Sequence, residues 1–577
     1  MSGIFHRDRA DIPGERSSTL GLAKLRLVFV ACVFVLGYLA ISLRLTDLTL
    51  LRDKPVAETV LNEEGVAPLA KPLRGTIVDR NGELVATSLA MPSVFANTTL
   101  IENPKAVARE LASILTEQRE ADLLKKLSSG RKFIWIQRNI TPRQQYAINA
   151  LGHPSLGFQE EDRRIYPGGN MTAHITGYTD VDGRGIAGVE KSGNQQLAQG
   201  EKPVRLTIDL RVQHILHREL SAAVEKFQAK AGAGVVMNVN TGEIIAMVSL
   251  PDFDPHHPSG ASDDGKFNRV SLGVFEMGST FKLFSTAAAL DTGRIGFGTT
   301  FDATNPIKIG RFTIKDYHAL KRVLTVPEIF IHSSNIGTAR MAQAVGDQGL
   351  KDFYKRMGFF TQVPVGLPER GSPLYPSPWR EVSTLTTSFG HGIAVTPLHL
   401  VRAASALVNG GVMVTPQLVR QDDKKTPLLP QSPEGPRVVS PQTSLKVRQL
   451  MELTVAGGTG SKAAVEGYNV GGKTGTAEKN KNGRYERNSL MSSFIGVYPI
   501  ENPRYAVLAM LDEPKPAPDT YGYATGGWTA APVVGRVVEQ MAPLYQIPPS
   551  LDTRAELLNE MSSYMKGSHS ASAGTDR

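Results

Sequence analysis

The sequence predicts an α+β protein of more than one domain behind a single N-terminal transmembrane helix. Three observations carry that expectation. An uncharged apolar run occupies 27–43 (LVFVACVFVLGYLAISL), a strand–turn–strand pattern occupies 234–248, and a largely helical middle over 279–410 is followed by a strand group between 468 and 511. Strands, a helical insert and further strands on one sheet give α+β. The chain of 577 residues has room for two to four domains.

The apolar run is at the short end for a membrane span. Arg7, Arg9, Arg16, Lys24 and Arg26 precede it and Arg44 follows. The positive-inside rule therefore puts 1–26 in the cytoplasm and everything after 43 outside. A cleaved signal peptide is the alternative, but no small-x-small site follows the run and the run exceeds a typical signal core. The one cysteine, Cys32, lies inside it. Intrachain disulfides and Cys/His metal sites are thereby excluded. Lys+Arg 64 against Asp+Glu 55 leaves a net charge of +9. No basic–aromatic track points to nucleic acid, and an anionic membrane or polymer nearby explains the excess.

Residues 44–228 read as a juxtamembrane linker followed by a mixed α/β pedestal. Asn81-Gly82 between β-rich flanks marks a hairpin, and 206–224 reads as a strand leading into an amphipathic helix. A second domain spans 229–548. It opens with strand, Asn240-Thr241-Gly242 turn, strand, and closes with a helix near 529–543. Residues 549–577 read as a polar, partly disordered tail.

Three short strings stand in order in this second domain: Ser279-Thr280-Phe281-Lys282, Ser333-Ser334-Asn335 and Lys473-Thr474-Gly475. About two S-x-x-K matches are expected by chance in a chain of this length, and Ser129…Lys132 and Ser563…Lys566 are such matches. Ser279 differs by following a glycine and opening an apolar run that Gly293 closes, so it falls in the first turn of a helix. A serine hydroxyl needs a base within hydrogen-bond reach. Lys282, three residues on, shares its helical face and can serve if burial or a second cation keeps it neutral, Lys473 being a candidate for that cation. Ser333 and Asn335 sit between two helical stretches, the first announced by the capping box Thr325…Glu328. They suit proton relay and carbonyl binding, or serve only as turn residues capping the next helix. Alternation places Lys473 and Gly475 on one face of a strand and Thr474 and Thr476 on the other. That strand can take an extended peptide, or be a solvated edge guarded by a lysine. S-x-x-K, S-x-N and K-T-G in this order are the signature of active-site serine β-lactamases and penicillin-binding proteins.

Further strings widen the likeness. Arg74-Gly75…Asp79-Arg80-Asn81-Gly82, Arg164-Ile165-Tyr166-Pro167 and Gly185…Gly188-Val189-Glu190 resemble pedestal motifs of the class B penicillin-binding proteins, of the septal D,D-transpeptidase type. In the second domain, Ser388-Phe389-Gly390-His391-Gly392 with Val395-Thr396-Pro397, the pair Gly526-Gly527 near the last helix, and the extended strings around Ser279 and Lys473 also match that family. Met277 departs from the family's usual proline. The resemblance implies an elongated pedestal (dimerisation-type) domain and a transpeptidase domain in which helices and a helical subdomain flank an antiparallel sheet. It implies a serine-type D,D-transpeptidase of the D-Ala-D-Ala carboxypeptidase class that cross-links peptidoglycan stem peptides and is acylated by β-lactams. In that scheme Ser279 is the nucleophile and Lys282 its base, and Ser333 passes a proton to the departing D-alanine. Asn335 holds the donor backbone, and Lys473, Thr474, Gly475 and Thr476 bind the substrate, its carboxylate above all. The N–H groups of Ser279 and Thr476 form the oxyanion hole. No metal or organic cofactor is implied. The implied partners are a D-Ala-D-Ala donor, an amine acceptor, and divisome proteins including an FtsW-type glycosyltransferase met through the anchor and pedestal. The implied place is the inner (plasma) membrane, single-pass, with the catalytic domain periplasmic. An elongation-specific enzyme of the same class and a non-enzymatic β-lactam sensor or scaffold are the rival readings.

Overall fold

The structure, a computed structural model, describes residues 28–29, 31–42, 73–200, 202–310, 312–420, 433–481, 484–550 and 554–565. The chain divides into two compact units, 1–71 and 72–577. In the first, 28–29 and 31–42 are helical with exposed side chains. Residues 27, 30 and 43 of the apolar run and the linker expected at 44–72 lie outside the described residues. Among the described residues no helix is long and apolar enough to cross a membrane. Residues 31–42 cover about 18 Å at 1.5 Å per residue, against a hydrocarbon core of about 30 Å.

The second unit begins with a small sheet. Strand β1 (Ile77–Val78) turns through Asn81 and Gly82 into β2 (Leu84–Ala96). Gly82 has φ +96°, which side chains disfavour. The buried Asp79 carboxylate accepts the N–H groups of Asn81 and Glu83 at 2.7 and 2.9 Å, and that of Leu210 at 3.2 Å. Strands β3 (Ile134–Gln137) and β4 (Leu156–Ile165) pair antiparallel with β2. Strand β5 (Val204–Arg205) runs parallel to β1. Val107, Leu111, Leu123 and Leu127 from two helices pack on Val94 and Ile136 as a separate core. The three expected pedestal strings meet at one residue. Glu190 takes Arg74 Nε on one carboxylate oxygen at 2.7 Å and Arg164 Nε on the other at 2.6 Å, all three side chains being buried.

Helix α1 (Leu210–Lys226) starts at Asp209, whose side chain accepts the Arg211 N–H. It lies under a five-stranded antiparallel sheet built from β6 (Ala231–Asn238) and β7 (Ile244–Leu250), then, more than 200 residues later in the chain, β8 (Gly471–Lys481), β9 (Arg484–Tyr498) and β10 (Tyr505–Asp512), in the order β8-β9-β10-β6-β7. Between the two groups come α2 (Lys282–Asp291), α3 (Val326–Ile331), α4 (Asn335–Val345), α5 (Pro397–Val408) and α6 (Pro441–Gly457). After β10 come α7 (Ala530–Leu544) and α8 (Arg554–Met561). Period-2 alternation splits the strands between two cores. Val235, Met237, Leu508 and Met510 face α2, α5 and α6. Val236, Val507, Ala509 and Leu511 face α1 and α7. Both faces are covered, so these strands are continuously apolar. Ile77, Ala86, Val204 and Ile208 join the first of these cores, so the boundary expected near 228 falls inside one compact unit.

The structure adds detail to two expectations. The middle is largely helical, with two short strand pairs: Thr300–Asp302 with Val323–Thr325, and Ile307–Ile309 with Phe312–Ile314. Residues 554–565 of the expected polar tail are folded. Leu557, Met561 and Met565 are buried in the main core; the first two, four apart, share one face of a helix.

Candidate active site

Ser279 lies in a 3-10 turn (Gly278–Phe281) that runs directly into α2. Every residue from Lys282 to Leu290 is buried, so the helix is central and covered on all sides. The turn presses on edge strand β8. Gly278 has φ +54°, and a Cβ there would lie 2.4 Å from the Thr476 carbonyl oxygen; only glycine permits that approach.

Lys282 has no exposed surface. Its Nζ lies 2.6 Å from the Ser333 carbonyl oxygen and 2.6 Å from Asn335 Oδ1, with Ser279 Oγ at 2.9 Å and Ser333 Oγ at 3.0 Å. The two nearest atoms can only accept. A neutral amine gives them its two N–H groups and keeps one lone pair for a hydroxyl proton. Burial, and secondarily the Lys473 cation, hold this amine well below the ordinary lysine range, against an upward pull from Asp316. The Asn335 amide is oriented by its Nδ2, which donates to the Lys315 carbonyl at 2.8 Å. Its second Nδ2 hydrogen remains for a further acceptor.

Ser333 joins α3 to α4. The capping box of Thr325 and Glu328 starts α3, and the Ser334 side chain caps α4 by accepting the Gly337 N–H. Ser333 itself has φ +57°, a left-handed conformation costing a non-glycine residue about 1 kcal/mol or more. Asp316 fixes the turn: one carboxylate oxygen accepts Ser334 Oγ at 2.7 Å, the other the Ile336 N–H at 2.9 Å. Ser333 Oγ lies 3.0 Å from Lys282 Nζ and 3.1 Å from Lys473 Nζ, a bridge between two amines.

Lys473 is also fully buried. Its Nζ donates to the Thr474 carbonyl at 3.3 Å and stands 5.6 Å from the centre of the Phe330 ring. Burial pushes it down to about 7. The alternation expected of β8 holds. Lys473 points to Ser333, and a Cβ on Gly475 would meet Met277 O and Ser493 Oγ at 2.7 and 2.4 Å. On the other face Thr474 Oγ1 meets Thr459 Oγ1 at 2.8 Å, and Thr476 Oγ1 accepts the Gly526 N–H at 3.2 Å. Strand β8 ends the sheet, so it offers backbone groups to an added strand.

Ser279, Lys282, Ser333, Asn335 and Lys473 thus form one hydrogen-bonded set; Gly475 packs against the turn beside Ser279, and the Thr474 and Thr476 side chains lie on the opposite face of β8. Sequence reasoning missed Asp316, Lys315 and Thr459. None belongs to a string with its own chemistry, and only the fold brings them to the turn or the strand.

A buried serine–lysine pair at a helix start, beside the edge of an antiparallel sheet, is the arrangement of the S-x-x-K acyl-transfer enzymes. Comparison with known proteins agrees. Residues 232–539 match the penicillin binding protein transpeptidase domain family, and residues 69–204 the penicillin-binding protein dimerisation domain family. The chain is 42% identical over 494 residues to the probable peptidoglycan D,D-transpeptidase FtsI of Caulobacter vibrioides, covering 83% of this chain and 82% of that one. It is 32% identical over 519 residues to the peptidoglycan D,D-transpeptidase FtsI of Escherichia coli K12, covering 84% and 85%. The crystal structure of penicillin binding protein 3 of Mycobacterium tuberculosis with aztreonam superposes with a TM-score of 0.65 at 26% identity, covering 83% of this chain and 98% of that one. The chain therefore belongs to the class B penicillin-binding proteins, and its activity is that of a peptidoglycan D,D-transpeptidase.

Proposed function

We propose that this transpeptidase works at the division septum through Ser279. The observation that carries the chemistry is the Lys282 amine, whose two N–H groups are taken by Ser333 O and Asn335 Oδ1 while Ser279 Oγ stands 2.9 Å away. Lys282 takes the Ser279 proton as Oγ attacks the carbonyl between two D-alanines. The N–H groups of Ser279 and Thr476 stabilise the oxyanion. Ser333 delivers a proton to the departing D-alanine and is recharged through either lysine. Asn335 offers its second Nδ2 hydrogen to the donor backbone. Lys473, Thr474 and Thr476 hold the terminal carboxylate, and Gly475 lets the peptide backbone approach. An acceptor amine then attacks the acyl-enzyme, its proton returns through the same groups, and the cross-link forms.

The septal role is supported by the pedestal strings and by similarity to two FtsI proteins. In this reading 1–26 is cytoplasmic and 27–43 is the anchor in the inner membrane. Residues 44–228 are linker and pedestal, 229–548 the extracytoplasmic transpeptidase domain, and 549–577 the tail, including the packed α8. The anchor and pedestal meet divisome proteins such as an FtsW-type glycosyltransferase. Fluorescent penicillin labelling tests the nucleophile: Ser279→Ala abolishes it, and labelling that persists refutes the assignment. Depletion in the source cell tests the role. Filaments with unconstricted septa are expected; round cells mark an elongation enzyme instead.

A further inference from the structure

Strand β8 lays out three stations. At the first, Lys473 meets Ser333. At the second, Gly475 and Thr476 press on Met277 and Gly278, beside Ser279. Past an irregularity at Glu478/Lys479 the β8–β9 ladder continues, and Asn480 pairs with Tyr485. There the Tyr485 hydroxyl donates to both carboxylate oxygens of Glu276, at 3.2 and 3.1 Å, and the Gly392 N–H donates to one of them at 3.0 Å. Glu276 is three residues before Ser279. It is held by neutral donors alone: among the described residues no cation pairs with it, and burial raises its carboxyl above the usual range. A carboxylate fixed in place without a countercharge is a site for one.

His391 stands beside it. Tyr485 touches both, its ring centre being 5.4 Å from that of His391. The buried His391 Nδ1 makes no well-formed hydrogen bond, and burial above all holds the ring neutral, near 4, against an upward pull from the Phe389 backbone. Orphaned buried nitrogens are rare in folded proteins. A substrate ammonium, with three N–H donors and no acceptor, suits a carboxylate and a free imidazole nitrogen.

We propose that Glu276, positioned by Tyr485 and Gly392 and assisted by His391 Nδ1, is the subsite that binds a primary ammonium of the stem peptide. The strand gives the direction. An extended peptide with its carboxylate at Lys473 and its scissile carbonyl at Ser279 runs on at about 3.3 Å per residue toward Asn480 and Tyr485. The residue that precedes the D-Ala-D-Ala pair is carried further along this path, so its side chain is the one that comes toward Glu276, and a stem peptide with an amine there is the preferred donor. The acceptor amine is the other source of the same chemistry.

This inference rests on Ser279 as the acylated residue, which mass spectrometry of the wild-type protein with benzylpenicillin checks separately. The test uses two D-Ala-D-Ala peptides, identical except that the side-chain amine of the preceding residue is free in one and acetylated in the other. D-Alanine release gives kcat/KM for each. The wild type prefers the free amine by about tenfold, as for loss of one charged hydrogen bond. Glu276→Gln brings the ratio near one, and Tyr485→Phe brings it part of the way. If the donor ratio is insensitive but Glu276→Gln raises the acceptor concentration needed to divert half the acyl-enzyme from hydrolysis, the ammonium bound is the acceptor's. A Glu276→Gln protein that slows both peptides equally, with acceptor use unchanged, has only a structural glutamate and the proposal falls.

Discussion

Two lysines share one hydroxyl, and in the proposed mechanism their protonation sets the working pH. Lys282 must be neutral to accept the Ser279 proton, so kcat/KM rises with pH through its depressed pKa. Lys473 must be charged to hold a carboxylate, so kcat/KM falls as pH rises through about 7. The expected profile is a bell whose alkaline limb moves up in Lys473→Arg, since a guanidinium does not titrate there. A limb that stays put shows that some other group controls it. Stability follows the same groups with a definite sign. The folded pKa of Lys473, about 7, lies below the ordinary 10.5 of the unfolded chain, so between those values the unfolded state binds more protons. Stability therefore rises with pH across that window, and Lys473→Met should abolish that part of the slope in urea titrations. The sequence singled out these residues, because S-x-x-K, S-x-N and K-T-G each carry their own spacing, and the fold brings them together. It could not show Asp316 or Lys315, which act through a turn and a carbonyl supplied from elsewhere in the chain.

At the scale of elements, the α3–α4 turn and the pedestal clamp are each held by one acid. Asp316→Ala removes both restraints on the Ser334–Ile336 cap while leaving Ser333 in its left-handed conformation. The expected result is about 1–2 kcal/mol lost from unfolding, the usual range for a helix cap, with slower benzylpenicillin acylation as the Ser333 hydroxyl leaves its bridge between the lysines. Unchanged acylation would mean that the turn is held by packing alone. Glu190 binds Arg74 and Arg164 in a buried triad. Glu190→Gln strands two guanidinium groups and should cost about 3–5 kcal/mol, read by chemical denaturation. The Asn81-Gly82 hairpin and the Thr325…Glu328 capping box were legible because each is a local rule. The triad was not, since its three strings are far apart in the chain and only folding brings them to one carboxylate.

At the scale of the molecule, local pattern failed where composition misled. Residues 549–577 look like a solvated tail, and most of the signal is indeed polar. Yet Leu557, Met561 and Met565 enter the core shared by α2, α5 and α6, and the Thr325 hydroxyl donates to the Tyr564 carbonyl at 2.7 Å. Leu557 and Met561 in a short helix, with Met565 just past its end, are too few to stand out, and their value depends on a groove formed by distant segments. The contact matters because Thr325 opens α3, and α3 ends just before Ser333. The C-terminal helix thus braces the helix that delivers the Ser333 turn. Met561, 1% exposed, is the probe: Met561→Ala should lower the unfolding free energy by about 2–5 kcal/mol, as for other large-to-small core changes. If α8 packs only as a surface appendage, the loss will stay below about 0.5 kcal/mol, the range for surface substitutions. A loss of the larger size, accompanied by slower acylation at temperatures where the protein remains folded, ties the end of the chain to the geometry of the serine–lysine site.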